Sequence, residues 1–195
     1  MNNRHRITNL FVSVIFIVEC LGCGNPQEVL QPNEYHSQNN QFLFRYGKHW
    51  DLKTNVPEPG LEVMLICADS LCGFGTNITF GILYDEVTTT LSQKKVLSIA
   101  NSRQITTNIL NNPLVTSVIV KNEGKTRLGN QPAYQVVMTV KYINGNERVR
   151  HSFITFSVGY WYNVSINADP YNYTVAMTTA QSVLDSFRLQ QVLNE

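Results

Sequence analysis

The stretch Ala133 to Ala168, AYQVVMTVKYINGNERVRHSFITFSVGYWYNVSINA, constrains the fold more than any other part of the chain. Tyr134, Val136, Met138, Val140 and Tyr142 occupy every second position, which places them on one face of an extended strand. Asn144-Gly145 supplies a hairpin signal into the next strand. ERVRHSFITFS follows, Val158-Gly159 marks a further turn, and Tyr160, Tyr162, Val164, Ile166 and Ala168 alternate again. The pattern predicts an antiparallel meander, preceded by the strand VTSVIVKNE and the turn LGNQP. Downstream, VAMTTAQSVLDSFRL puts Met177, Ala180, Val183, Leu184 and Phe187 on one helical stripe, a face that must pack on the sheet.

The first half of the folded part reads less sharply. Phe42, Phe44 and Tyr46 alternate, Gly47-Lys48 makes a turn, and Trp50-Asp51-Leu52 resumes an extended path, so a hairpin is expected to open the domain. LEVMLICA and NITFGILYDE are further strands around the glycine-bearing loop DSLCGFGT. TLSQKKVLSIANSRQITTNILNN lacks strand alternation and predicts one helix that stops at Asn111-Asn112-Pro113. This order of elements implies an α+β fold, a curved antiparallel sheet sandwiched by helices. A chain of 195 residues with 43% hydrophobic content suffices for one buried core. Net charge is +1 and the 15 basic residues are scattered, so no nucleic-acid partner is expected.

The amino terminus carries address information. MNNRHR is basic, Ile7 to Val18 is an apolar run too short to span a bilayer, and the profile predicts a signal peptide over 1–22. Cys20-Leu21-Gly22-Cys23 resembles a bacterial lipobox, in which Gly22 precedes the cut and Cys23 takes a diacylglycerol. A zinc clip would need a second ligand pair, and none of His5, His36, His49 and His151 stands at ligand spacing. A redox pair would lie in a discarded leader. The signal has Cys20 and Leu21 where an aliphatic and a small residue are usual, and a secreted protein cut nearby is the alternative. The expected partner of this end is thus a membrane, through the lipid. Residues 23–40 are polar and amide-rich and read as a tether, with His36 solvated in it. The domain is then 41–190, with a tail over 191–195.

The quoted parts FLFRYGKHW, RLGNQPAYQVVMTVKY, GYWYNVSINA and VLDSFRL follow one another as in the PsbP-like family, and the chain resembles that family from about 40 to 189. Family members often have proline before the first turn, where this chain has Tyr46. The resemblance implies a binding domain without catalysis: plant members are extrinsic photosystem II subunits, bacterial relatives are envelope lipoproteins, and a eukaryotic relative binds the Ran GTPase. No family metal ligand transfers to His49 or His151, which read as strand or turn histidines, and no cofactor is expected.

The remaining chemistry is sparse. Cys67 and Cys72 form a candidate disulfide in an oxidising compartment. There is no G-x-S-x-G, no H-E-x-x-H and no phosphate loop; Asp85-Glu86 reads as a solvated turn. An enzyme is therefore not expected. Sequons at Asn77, Asn163 and Asn172 leave a secreted glycoprotein as a further reading. Trp161, among Asn163, Ser165 and Asn167, is the candidate partner contact, either packed under the helix near 90–110 or exposed as an anchor. The leading reading is a non-catalytic envelope lipoprotein that binds or helps assemble a membrane-associated complex; the alternative is an enzyme or thiol-redox protein using the Cys67/Cys72 loop.

Overall fold

The computed structural model describes residues 33–38, 41–57, 60–68, 70–73, 75–85 and 92–190. The leader, Cys20 and Cys23 lie outside these residues, as do Glu86 and the tail.

Two sheets form. The larger has seven strands: β3 (Trp50–Lys53), β4 (Leu61–Cys67), β5 (Asn77–Tyr84), β6 (Val115–Leu128), β7 (Gln131–Tyr142), β8 (Glu147–Ser157) and β9 (Tyr160–Ala168). Their spatial order is β3-β4-β5-β9-β8-β7-β6, and each neighbouring pair is antiparallel. The meander expected from alternation is therefore β6 to β9, with β9 returning beside β5. The smaller sheet consists of β1 (Asn33–His36), β2 (Phe42–Tyr46) and the short β10 (Arg188–Leu189), with β2 central.

Helix α3 (Tyr173–Ser186) packs on one face of the large sheet, burying Ala176, Ala180, Val183 and Leu184. Opposite it stand the alternating residues Tyr162, Val164, Ile166 and Ala168, as their period required. Met177 is half-buried, while its neighbour Ala176 is fully buried. The small sheet covers the remainder of this core. Phe44 stacks on Phe80 with centroids 4.0 Å apart, and Phe42 lies 5.6 Å from Phe187. The turn Gly129-Asn130 closes β6 onto the end of α3. Gly129 has φ +56°, and a Cβ there would collide with the Phe187 carbonyl, so glycine is required on two counts.

The opposite face of the sheet carries α1 (Gln93–Ile99) and α2 (Ser102–Leu110). Where one helix was expected there are two. Asn101 adopts an extended conformation and its side chain accepts from the Arg103 N–H, so it starts a new helix instead of continuing the old one. Ile105 and Ile109 of α2 meet Val136, Met138 and Val140, the stripe that opened the sequence reading.

Two further expectations are corrected. The opening hairpin does not form: β2 pairs with β1 and β10, while β3 pairs with β4, so the Gly47-Lys48 turn crosses between sheets. Alternation shows which side of a strand is apolar but not which strand it will bond. The tether also ends earlier than 40, because Asn33–His36 is a strand. Tyr35 is buried against Phe42 and Phe44, and His36 is hydrogen-bonded to Glu34 at 2.8 Å. No helix of the described residues is long and apolar enough to cross a membrane.

Candidate functional site

Among the described residues, α1 and α2 lie over β8, β7 and β6, and no helix covers the β5 and β9 part of the same face. Between α2 and these strands runs a groove of about 720 Å³. The strand pairing determines its floor. Leu83 stands opposite Trp161 and Gly81 opposite Asn163, so these four side-chain positions share the face turned away from α3. Ile154 joins them, as the partner of Asn163 on β8. Gly81 lets the chain close in at the edge, since a Cβ there would stand 2.8 Å from the Gly60 carbonyl oxygen.

Trp161 is half-buried. Its indole meets the Phe156 ring edge-on at 5.5 Å and its Nε1–H donates to Asp85 Oδ2 at 3.2 Å. The ring lines the groove with Asn101, Arg103 and Ile105. Asp85 is not merely a solvated turn residue: it holds the indole in place. This pair, separated by 76 positions, left no signal in the sequence, since nothing marks one strand-end carboxylate as the neighbour of one tryptophan.

Behind Trp161 the face is polar and hydrogen-bonded. Ser165 Oγ shares a 2.8 Å hydrogen bond with Ser152 Oγ, and lies within bonding distance of Asn163 Oδ1 (3.0 Å) and Arg150 Nη2 (3.3 Å). Asn167 Nδ2 donates to Asn77 Oδ1 at 2.9 Å. Two sequon asparagines, Asn77 and Asn163, are thus engaged side chains in strands, and Asn172 stands at the N-cap position of α3. The network orders the groove without presenting a nucleophile beside a base, the arrangement that covalent catalysis needs.

The other candidates fall elsewhere. Cys67 and Cys72 are joined as a disulfide with Cα atoms 6.0 Å apart, at the far end of β4, and Cys72 is fully buried. His151 lies in β8 on the α3 side, 3.0 Å from the Tyr173 hydroxyl through Nδ1 and 3.2 Å from Gln135 Oε1 through Nε2. Burial pushes its pKa down to about 4. The His49 carbonyl accepts from Ala68 N–H in the turn before β3. Among the described residues, no three His, Cys, Asp or Glu are grouped so as to hold a metal ion.

No sequence-family model matches the chain, and no curated protein sequence does. Solved structures do. The cyanobacterial PsbP protein CyanoP of Synechocystis sp. PCC 6803 is similar with a TM-score of 0.58 at 14% identity, covering 87% of this chain and 99% of that one. The Ran-binding protein Mog1p of Saccharomyces cerevisiae gives 0.54 at 9% identity, over 81% and 95% of the two chains. LpqN of Mycobacterium tuberculosis, described as involved in cell envelope biogenesis, gives 0.52 at 15% identity, over 82% and 91%. At such identities the likeness speaks for the backbone arrangement alone. The described domain has the PsbP-like α+β fold.

Proposed function

We propose that this chain is a non-catalytic lipoprotein of the cell envelope, held to a membrane through Cys23, whose PsbP-like domain binds a membrane-associated protein in the groove at Trp161. The observation that carries the reading is the helix-free part of the sheet face: a cavity of about 720 Å³ with a large, half-buried aromatic at its floor. Interfaces place their binding energy in such anchors, ringed by polar groups that exclude water. Here Trp161, Ile154 and Leu83 supply apolar lining, while Asn101, Asn108 and Asn163 supply polar lining. Binding or envelope roles attach to Mog1p and LpqN by their descriptions, which favours a binding module over an enzyme. A lipid at Cys23 would raise the local concentration of the domain beside partners in the same membrane.

The test is capture from native membranes by three forms of the full chain: unaltered, Cys23→Ser and Trp161→Ala. The unaltered chain should carry acyl mass at Cys23, partition with membranes and retain a defined protein after cross-linking. Cys23→Ser should accumulate as unmodified precursor or, if cut elsewhere, leave the membrane, and Trp161→Ala should keep the membrane but lose the protein. A native terminus without acyl chains overturns the lipoprotein reading, and undiminished capture by Trp161→Ala removes the groove.

A further inference from the structure

The register of the large sheet gathers five turns at one of its ends. Trp50 pairs with Cys67, Ile66 with Asn77, Asn77 and Arg150 with Asn167, Lys141 with Glu147, and Val115 with Tyr142. The start of β3, the disulfide loop, the connection from β9 to α3, the Asn144-Gly145 hairpin and the entry into β6 therefore lie side by side. Large apolar side chains stand out there. Leu110 ends α2, Leu114 precedes β6 and Ile143 opens the hairpin turn, and all three are exposed, Ile143 by 69%. The Ile143 N–H donates to the Leu114 carbonyl at 2.9 Å, which fastens these two together. Tyr171, in the connection to α3, is 96% exposed. Side chains so exposed add little to the core, and grouped apolar residues on a surface mark contact sites.

The second observation is where the chain enters. Asn33 pairs with Tyr46, and the Gly47 carbonyl accepts from the N–H of Trp50, the first residue of β3, at 3.2 Å. The amino-terminal strand thus begins at the same end of the sheet. Cys23 precedes Asn33 by ten residues, a stretch that spans at most ~36 Å. A lipid on Cys23 would keep this end, and not the opposite one with Leu83, Tyr84 and Val158, close to the bilayer. The entry lies at the β3 edge, Tyr171 past the central β9, and Leu114 with Ile143 toward the β6 edge. Together they extend along the whole end, roughly 29 Å at ~4.8 Å per strand. The charges beside the hairpin offset each other, since Lys141 Nζ stands 2.6 Å from Glu147 Oε1, so the surface suits a lipid boundary by its apolar groups.

We propose that this end of the domain rests on the bilayer that holds Cys23, with Leu110, Leu114 and Ile143 in the headgroup boundary and Tyr171 at its level, where tyrosine is favoured. This orientation rests on the lipoprotein reading and adds to it which side faces lipid. Four side chains hold a free domain weakly, but the tether makes the contact intramolecular, at an effective concentration in the mM range, where a weak contact is occupied. The strands then stand away from the bilayer. Trp161 is seven residues along β9 from Ala168, roughly 23 Å at ~3.3 Å per residue, so the groove meets a part of its partner that projects from the membrane.

The test places the mature chain from Cys23 on phosphatidylcholine nanodiscs, coupled through the Cys23 thiol to a maleimide lipid; the disulfide keeps Cys67 and Cys72 out of the reaction. Gadolinium-chelate headgroup lipid is added and methyl NMR relaxation is read. Leu110, Leu114 and Ile143 should relax several-fold faster than Leu83 and Val158. A Leu114→Asp, Ile143→Asp double variant, which alters exposed positions and should keep the methyl spectrum of the fold, should lose that difference. Equal relaxation at the two ends, faster relaxation at Val158, or an unchanged pattern in the folded double variant overturns the proposal. So does a shift of these methyls that follows the number of chains per disc and not the gadolinium, which would assign the surface to a second copy. Intact mass of the native protein reads the anchor separately: a Cys23 without acyl chains removes the lipoprotein reading and this orientation with it, whereas the relaxation pattern bears on the surface alone.

Discussion

The Trp161 indole donates to the Asp85 carboxylate at 3.2 Å, tying the start of β9 to the end of β5. A tryptophan held this way is pre-organised at the groove, because its ring orientation costs nothing further when a partner arrives. Trp161→Ala should cost about 1–3 kcal/mol, below the ~3–5 kcal/mol of a fully emptied aromatic core site, since the ring is only half-buried. Asp85→Ala should leave stability nearly intact and weaken partner capture. Urea unfolding and membrane capture on the same variants separate the two effects, and a loss at the full core value would place Trp161 in the core.

The β8–β9 hairpin carries a backbone misfit. Val158 has φ +44° and Gly159 φ +80°, the positive pair of a tight hairpin turn, and Val158 is 71% exposed. A β-branched residue in that region is strained, and its side chain has little packing to offset the strain. Val158→Asn should raise stability by about 0.5–1 kcal/mol. Thermal unfolding reads it, and a decrease would show that the valine packs in a way its exposure does not suggest.

His151 makes stability fall in mild acid. Its pKa is about 4 when folded and ~6.5 when unfolded, so between these values the unfolded chain binds the extra proton. The contribution is fully present above about pH 6.5 and is lost as pH falls toward 4, by on the order of 2–3 kcal/mol. Protonation would also place a hydrogen on Nδ1, where the Tyr173 hydroxyl now stands at 3.0 Å. Unfolding free energies measured from pH 7 to 4.5 should slope accordingly, and His151→Gln should flatten that slope.

The Cys67–Cys72 bond closes a short loop, so it restricts the unfolded chain modestly, by about 2 kcal/mol on loop-closure grounds. A Cys67→Ser, Cys72→Ser double variant should fold and lose about that much. Intact mass after alkylation without reductant should show neither thiol labelled. Two reactive thiols in the natively isolated protein, with function lost in the folded double variant, would favour the thiol-redox alternative.

How much of this was legible can be argued from single residues. Val136, Met138 and Val140 announced a buried stripe, but that α2 covers it came from Ile105 and Ile109, whose spacing within a ragged helical stretch marked no partner. The β4 bulge at Glu62, where Leu61 pairs with Gly81 but Val63 with Phe80, was invisible, because an extra residue in a ladder exists only relative to the strand opposite. Asp85 and Trp161 were each noticed for other reasons and never as a pair.

Period and turn chemistry are local, and they determined β6 to β9, the Asn144-Gly145 and Val158-Gly159 turns, and the buried face of α3: side-chain alternation and the positive φ that Gly145 and Gly159 adopt depend on a residue and its near neighbours. Tertiary structure alone decided that β2 leaves β3 for a second sheet, that the helical stretch breaks at Asn101, and that the β5 and β9 part of one face stays open as a groove. These depend on which apolar faces find each other across long stretches of chain, a choice made by burying the most surface at once rather than by any local preference.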